Sequence, residues 1–182
     1  MPTQTDLSCR CGKVHLTVEA EPILAAECEC NSCREANSQL EKLPGAQPVI
    51  EASGGTHYVL YRKDRITFTA GVEYLCAYRL TPTSPTRRVV AECCNTPFFL
   101  EFQSGHWLSI YAGLWPEASR PSASMRTMVS DMPAGQLPPA DMPNHKTQSF
   151  GFFWGLLTAW AAMRFRSPTI AVPKERILRE AA

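Results

Sequence analysis

The residues most able to do chemistry are cysteines, and they are clustered. Cys28-Glu29-Cys30-Asn31-Ser32-Cys33 places three thiols within six residues, two of them in a Cys-x-x-Cys step. Thiolates this close repel one another unless a cation sits among them, and a soft-ligand set of this kind suits zinc. Two further pairs flank the triplet, Cys9-Arg10-Cys11 and Cys93-Cys94, and Cys76 stands alone. Pair plus pair gives four thiolates, the closed set of a structural zinc site. The triplet fills three of four tetrahedral positions and leaves one open. Two zinc ions are therefore expected, one structural on Cys9, Cys11, Cys93 and Cys94, and one with an open position on Cys28, Cys30 and Cys33.

Charge narrows what the open position can do. Three thiolates outweigh the two positive charges of zinc, so the ion is a weak Lewis acid and a poor source of hydroxide. It can still hold a fourth, external thiol in its deprotonated form. A sulfur kept electron-rich adds to an aldehyde carbon to give a hemithioacetal, and the reverse step cleaves a carbon–sulfur bond. The triplet favours thiol chemistry over hydrolysis.

The chain has 182 residues, 45% hydrophobic and 19% charged, enough apolar material for a folded core. Its formal net charge of +1 lacks the basic excess of a nucleic-acid binder. The local clusters Arg62-Lys63-Asp64-Arg65 and Arg87-Arg88 read as solvated loop charge, or as anchors for a substrate carboxylate. No basic region followed by an apolar run opens the sequence, so a cytoplasmic location is expected, where cysteines stay reduced and available to metals.

The elements that must position the thiols can be read in order. Val14, Leu16 and Val18 alternate with Lys13, His15 and Thr17, which is strand periodicity, and Gly12 allows a tight turn after Cys11. His15 falls on the polar side, as a surface residue. Ile23 to Glu27 leads into the triplet. Cys28 and Cys30 share a side if the strand continues, and Cys33 returns from a first helical turn with Asn31 and Ser32 as cap residues. A short helix follows to Leu40. Val49–Ala52, His57–Tyr61, Arg65–Ala70, Glu73–Leu80, Arg88–Glu92, Phe98–Phe102 and Leu108–Tyr111 are short strand candidates with Gly and Pro punctuation, predicting a mainly antiparallel β domain. Residues 116–149 are rich in Pro, Ser, Ala and Met and read as a loop excursion. Phe150 to Met163 is a strongly apolar helical segment, too short to cross a bilayer and suited to core packing or a dimer contact. A charged tail runs from Lys174 to Ala182. The expected organisation is a zinc-binding β domain over 1–115, the excursion over 116–149, and a C-terminal helix and tail over 150–182.

Cys9-x-Cys11-Gly12, Cys28-x-Cys30-x-x-Cys33-Arg34, Gly71, Leu75, Tyr78, Arg88 and Cys94-Asn95-Thr96-Pro97 together resemble the glutathione-dependent formaldehyde-activating enzyme family, which includes the domain of centromere protein V. The resemblance covers roughly residues 7 to 112. It implies a zinc-containing β-tent of antiparallel sheets, with a structural zinc on the outer cysteine pairs and a catalytic zinc on Cys28, Cys30 and Cys33 that binds glutathione sulfur. It also implies carbon–sulfur lyase chemistry, forming S-hydroxymethylglutathione from formaldehyde and glutathione. The chain departs from the family motif Arg-x-Phe-Cys-x-x-Cys-Gly. Ala91 occupies the first cysteine position, Cys93 sits beside Cys94, and Asn95 replaces the glycine. Adjacent strand residues point to opposite faces, so both cysteines can bind one metal only if the backbone turns there. Cys76 is the reserve ligand, or else a buried free thiol.

The leading expectation is a zinc-dependent protein that binds a small thiol and makes or breaks its aldehyde adduct, with Arg34 and Arg88 as candidates to steady a substrate carboxylate. One alternative is a noncatalytic zinc protein whose metals support a binding surface; a fourth protein ligand at the triplet would favour it. Another is a redox sensor using Cys30 and Cys33 as a reversible pair.

Overall fold

The structure, a computed structural model, describes residues 3–136 and 138–178. Its alternating sequences form two sheets. The smaller has strand order β1 (Gln4–Ser8), β2 (His15–Glu19), β5 (Ile66–Ala70), all antiparallel. The larger has eight strands. Its interior comprises β3 (Leu24–Cys28), β4 (Thr56–Arg62), β9 (Trp107–Tyr111), β8 (Thr96–Phe102), β7 (Thr86–Ala91) and β6 (Leu75–Arg79), in that order and antiparallel throughout.

The expected mainly-β fold is present, with parallel pairing at the two edges of the large sheet. There β10 (Arg126–Thr127) lies parallel to β3, and β11 (Lys174–Ile177) lies parallel to β6. Both edge strands arrive from far along the chain, and a long connection can return a strand in parallel where a tight hairpin cannot. The charged tail thus supplies β11, and its next residue, Leu178, is buried; Arg179 to Ala182 lie outside the described residues. Val49–Ala52 forms no strand. The amides of Val49 and Ile50 donate to Glu41 Oε1 at 2.7 and 2.9 Å instead of to a neighbouring strand.

Period-two alternation sorts the large sheet's residues between two faces. Val59, Tyr61, Leu75, Ala77, Val89, Phe99, Leu108 and Ile110 pack with Leu7, Val14, Leu16 and Val18 of the small sheet as the main core. The residues between them face the other way. Tyr58, Leu60, Leu100 and Tyr111 meet Cys33 and the C-terminal helix, while Cys76, Tyr78 and Val90 meet Ala36 and Leu40. Helix α1 (Asn31–Leu40) lies on this second face, with α2 (Phe150–Ala162) beyond it.

The basic clusters are only in part solvated charge: Arg62 and Arg65 stay near the surface beside Asp64 and Glu19, but the other cations do not. Lys63 is 5% exposed and pairs with Glu101 at 2.5 Å. Arg87 shares that carboxylate at 2.6 Å, and Arg88 is fully buried. Lys63 lies in a single helical turn after β4, and Arg87 and Arg88 lie on β7, so each meets a protein partner.

Helix α2 opens at Ser149, whose hydroxyl accepts from the Phe152 amide at 3.1 Å. It buries Leu156 and Ala159, but Phe150, Phe153, Trp154 and Leu157 are exposed, so it is not a core helix. His106 holds it from below, donating from Nε2 to the Leu156 carbonyl at 2.8 Å and stacking on Trp160 at 5.5 Å. Burial pushes the His106 imidazole below its ordinary range; the bond to Leu156 opposes this, and the charges of Lys63 and Arg62 add to it. Unfolding raises that pKa, so the unfolded chain binds the extra proton first. The contribution of His106 is whole above about pH 6.5 and is lost as pH falls through its folded value. The acid-side fall in thermal stability should therefore be shallower in His106→Gln, which keeps a donor without the titration, when melting is followed from pH 7.5 to 5.

The 116–149 segment is anchored by Arg126. This side chain is 3% exposed and bonds Glu27 at 2.6 Å, Asp141 at 2.5 Å and the Pro139 carbonyl at 3.0 Å. Removing one partner of a buried ion pair costs about 3 kcal/mol or more. Arg126→Ala should raise amide hydrogen exchange through Met125–Asp131 while leaving β7 and β8 protected.

Candidate metal centre

Eight cysteines occur, all as free thiols, and seven fall into two groups. The sulfur atoms of Cys9, Cys11, Cys93 and Cys94 lie within 4.8 Å of one another, as do those of Cys28, Cys30 and Cys33. Cys76 belongs to neither. It is buried on β6, and burial pushes its thiol up to about 11, which keeps it a neutral core residue.

The four-cysteine group joins the two sheets. Cys9 and Cys11 sit in the turn between β1 and β2; Cys93 and Cys94 sit in the turn between β7 and β8. The backbone turn required for adjacent cysteines to face one point is present. The Cys94 amide donates to the Ala91 carbonyl at 3.2 Å, and Asn95 takes a left-handed φ of 52°, a conformation Asn tolerates better than most residues. Sulfur–sulfur distances are 3.6 Å for Cys9–Cys11, 3.8 Å for Cys9–Cys93, 3.3 Å for Cys11–Cys93 and 3.9 Å for Cys93–Cys94. Tetrahedral zinc with bonds of about 2.3 Å needs edges of about 3.8 Å, so the donor set fits such an ion closely. The Val14 amide donates to Cys9 Sγ at 3.3 Å, and the Thr96 hydroxyl lies 3.1 Å from Cys94 Sγ. Burial opposes ionisation of Cys94, but the Thr96 hydroxyl and the Cys11 backbone and thiol prevail and bring it down to about 6.

The triplet spans the junction of β3 and α1. Cys28 ends the strand, Cys30 is the N-cap of the helix, and Cys33 lies in its first turn. The cap role falls to the Cys30 sulfur, which accepts from the Cys33 amide at 3.4 Å, rather than to Asn31 or Ser32. Hydrogen bonds from the Cys28 and Cys30 thiols hold Cys33 well below the usual thiol range, and the charge of Arg88 adds to this against burial. Cys28 is pushed up by its bonds to Cys30 and Cys33. Three thiols in one corner thus share a single favourable charge, and a divalent ion would let all three ionise.

Tyr58 donates to Cys33 Sγ at 3.8 Å and itself accepts from Asn37 Nδ2 at 3.3 Å. Asn37 also donates to Thr56 Oγ1 at 2.7 Å and accepts from the Tyr111 hydroxyl at 2.7 Å. Arg88 donates from Nη2 to the Ser32 carbonyl and hydroxyl at 3.1 and 2.9 Å, and from Nη1 to Thr86 Oγ1 at 3.1 Å. Arg34, the other expected substrate anchor, turns to Glu29 instead. It bonds the Glu29 carboxylate and carbonyl, each at 3.0 Å. That pair explains the glycines at 54 and 55. A side chain at Gly55 would collide with the Glu29 carboxylate, and one at Gly54, whose φ is +90°, would lie 2.8 Å from the Arg34 guanidinium.

The triplet lines a cavity of about 680 Å³. Its wall includes Arg88 on β7, Leu60 on β4, Leu100 on β8, Trp107 on β9, and Phe152 and Leu156 on α2. The later segment adds Thr127, Met128 and Asp131, and Asp131 Oδ2 accepts from the Asn31 amide at 3.2 Å. Sequence reasoning singled out the cysteines and Arg88. It missed Tyr58, Asn37 and Tyr111, because a buried network joining a helix to two strands far apart in the chain leaves no local spacing signal.

The family model for the glutathione-dependent formaldehyde-activating enzyme matches residues 4–130, more than half of the chain. The chain belongs to that family. A crystal structure of a Rhodobacter sphaeroides protein is similar to it at 18% identity and a TM-score of 0.44, over 62% of this chain and 89% of that one. No curated protein matches the sequence. Membership ties the two cysteine groups, both able to hold metal ions, to a glutathione-related family. No helix among the described residues is long and apolar enough to cross a membrane.

Asn37→Ala should take from the Tyr111 hydroxyl its acceptor and from the Tyr58 and Thr56 hydroxyls a donor. Leaving buried polar groups unpaired costs about 1–3 kcal/mol each. We expect at least about 2 kcal/mol of lost stability, read by urea unfolding.

Proposed function

We propose that this chain is a zinc-dependent carbon–sulfur lyase-like enzyme, which binds a small thiol such as glutathione at Cys28, Cys30 and Cys33 and forms or cleaves its aldehyde adduct. One observation carries this reading. Three thiols converge on a cavity, and among the described residues no fourth Cys, His, Asp or Glu joins them. A closed four-ligand site, the mark of the noncatalytic alternative, is what the other cysteine group offers.

Zinc on three thiolates supplies a fourth position at which an external thiol is held deprotonated. The chain's own residues prepare that position. Arg88 and Tyr58 compensate charge on Cys33, and Asn37 fixes Tyr58. The Cys33 amide steadies Cys30. The reaction balances without a further reagent: the sulfur bonds to the carbonyl carbon, the carbonyl π pair moves to oxygen, and the thiol proton ends on that oxygen. Reversal releases thiol and aldehyde.

Arg34 and Arg88, proposed from sequence as carboxylate anchors, have most of their donors engaged by protein, so their support for the site is positional. Cys9, Cys11, Cys93 and Cys94 would hold the structural ion. Residues 1–115 carry both cysteine groups, while the 116–149 and 150–182 segments complete the cavity wall. Reduced thiols suit a cytoplasmic setting, and the exposed face of α2 suits a homodimer contact.

Elemental analysis tests the proposal. Wild type should carry two zinc ions per chain, and the Cys28, Cys30, Cys33 triple serine variant one. Glutathione should slow chelator stripping of the second ion. One ion per chain, indifferent to the variant and to glutathione, would defeat the enzymatic reading and leave a structural zinc protein. A tightly held zinc on Cys30 and Cys33 in the reduced protein would equally remove the redox-pair reading.

A further inference from the structure

The cavity wall offers few partners to the charged ends of a tripeptide and little contact to formaldehyde. Glutathione at neutral pH carries two carboxylates and one ammonium, and each needs a partner once it leaves water. Only two residues lining the cavity carry full charge, Arg88 and Asp131. Arg88 is fully buried, with both Nη atoms bonded to Ser32 and Thr86. Its Nε has no partner but is sealed from solvent. Asp131 would repel a carboxylate. Arg34 is engaged with Glu29 and lies outside the wall.

What the wall does offer is apolar surface. Leu60, Leu100, Phe102, Trp107, Phe152 and Leu156 surround the space in front of the three thiols. Formaldehyde, with only hydrogens on its carbon, would touch little of it. A volume of about 680 Å³ falls in the range that holds a whole organic molecule with an apolar body and few polar groups. The three thiols stand together at the junction of β3 and α1, so the reacting end of a ligand points there while its body lies against the apolar wall.

We propose that this cavity selects an uncharged ligand with an alkyl or aryl body, so that the carbonyl partner is a bulky apolar aldehyde and not formaldehyde. This rests on the thiol-adduct reading for its chemistry, but the selectivity belongs to the wall. Each methylene buried gains a roughly fourfold increase in affinity.

The test separates the two. Zinc-loaded protein is titrated with straight-chain alcohols from ethanol to heptanol, which match the body and do not form adducts, with tryptophan fluorescence as readout because Trp107 lines the wall. Affinity should rise roughly fourfold per methylene until the cavity is filled. Glutathione at equal concentration should fail to displace heptanol. Phe102→Glu and Phe153→Glu should flatten the series at least tenfold at heptanol; these lining residues are 43% and 57% exposed, so folding should survive. Affinity independent of chain length, or heptanol displaced by equimolar glutathione, would overturn the proposal. The parent reading is tested separately, on cobalt-substituted protein with hexanethiol. An unchanged sulfur–cobalt absorption would refute thiol coordination, while the alcohol series alone decides the apolar selectivity.

Discussion

Three sulfur atoms within 4.8 Å of one another, in a corner screened from water, cannot all carry charge on their own. This constraint shapes everything around the junction of β3 and α1. It explains a fully buried arginine whose charge faces Cys33, and a tyrosine hydroxyl turned to the same sulfur. It also explains why Asn37 sits in the middle of a helix with both its amide hydrogens and its side-chain oxygen engaged inward. Glu29, between two of the cysteines, would worsen the crowding. It is turned away into its own bridge with Arg34, in space that Gly54 and Gly55 leave free.

The second cysteine group answers a different problem. The three-stranded and eight-stranded sheets share a core, yet their strands do not hydrogen-bond to one another. The turn carrying Cys9 and Cys11 meets the turn carrying Cys93 and Cys94, more than eighty residues later in the chain. A metal on these four sulfurs would close that long loop and tie the small sheet to the large one, making metal binding part of folding. One ion would then hold the scaffold in register while the other stands at the cavity.

Much of the site was legible because its chemistry is local. Cys28, Cys30 and Cys33 announce themselves by spacing, and a helical turn at Cys33 was expected, although its cap is Cys30 and not Asn31 or Ser32. The turn at Cys93 and Cys94 was demanded by strand geometry and supplied by Asn95. What stayed hidden is non-local. Lys63, Arg87 and Arg88 look like surface charge in sequence, because the Glu101 that neutralises the first two and the Ser32 that binds the third lie far away. The carboxylate of Glu41 silenced a strand-like run at Val49 by taking its amides. The wall of the cavity is drawn from six strands and two helices, and no window of sequence shows it.

The parallel strands at the margins of the large sheet have a consequence beyond pairing. A sheet of six antiparallel strands would end in two rows of free amides and carbonyls, ready to recruit the same rows from another copy. Here β10 covers one margin with only two residues and β11 the other with only four, each too short to extend the ladder far. The backbone of Arg126 in the first is bonded on its far side to Pro143 and His145, and in the second Lys174 and Arg176 pair with Glu92. The late segments of the chain therefore act as stoppers, ending the sheet in one covered margin and one short, charged one, which discourages edge-to-edge growth between molecules.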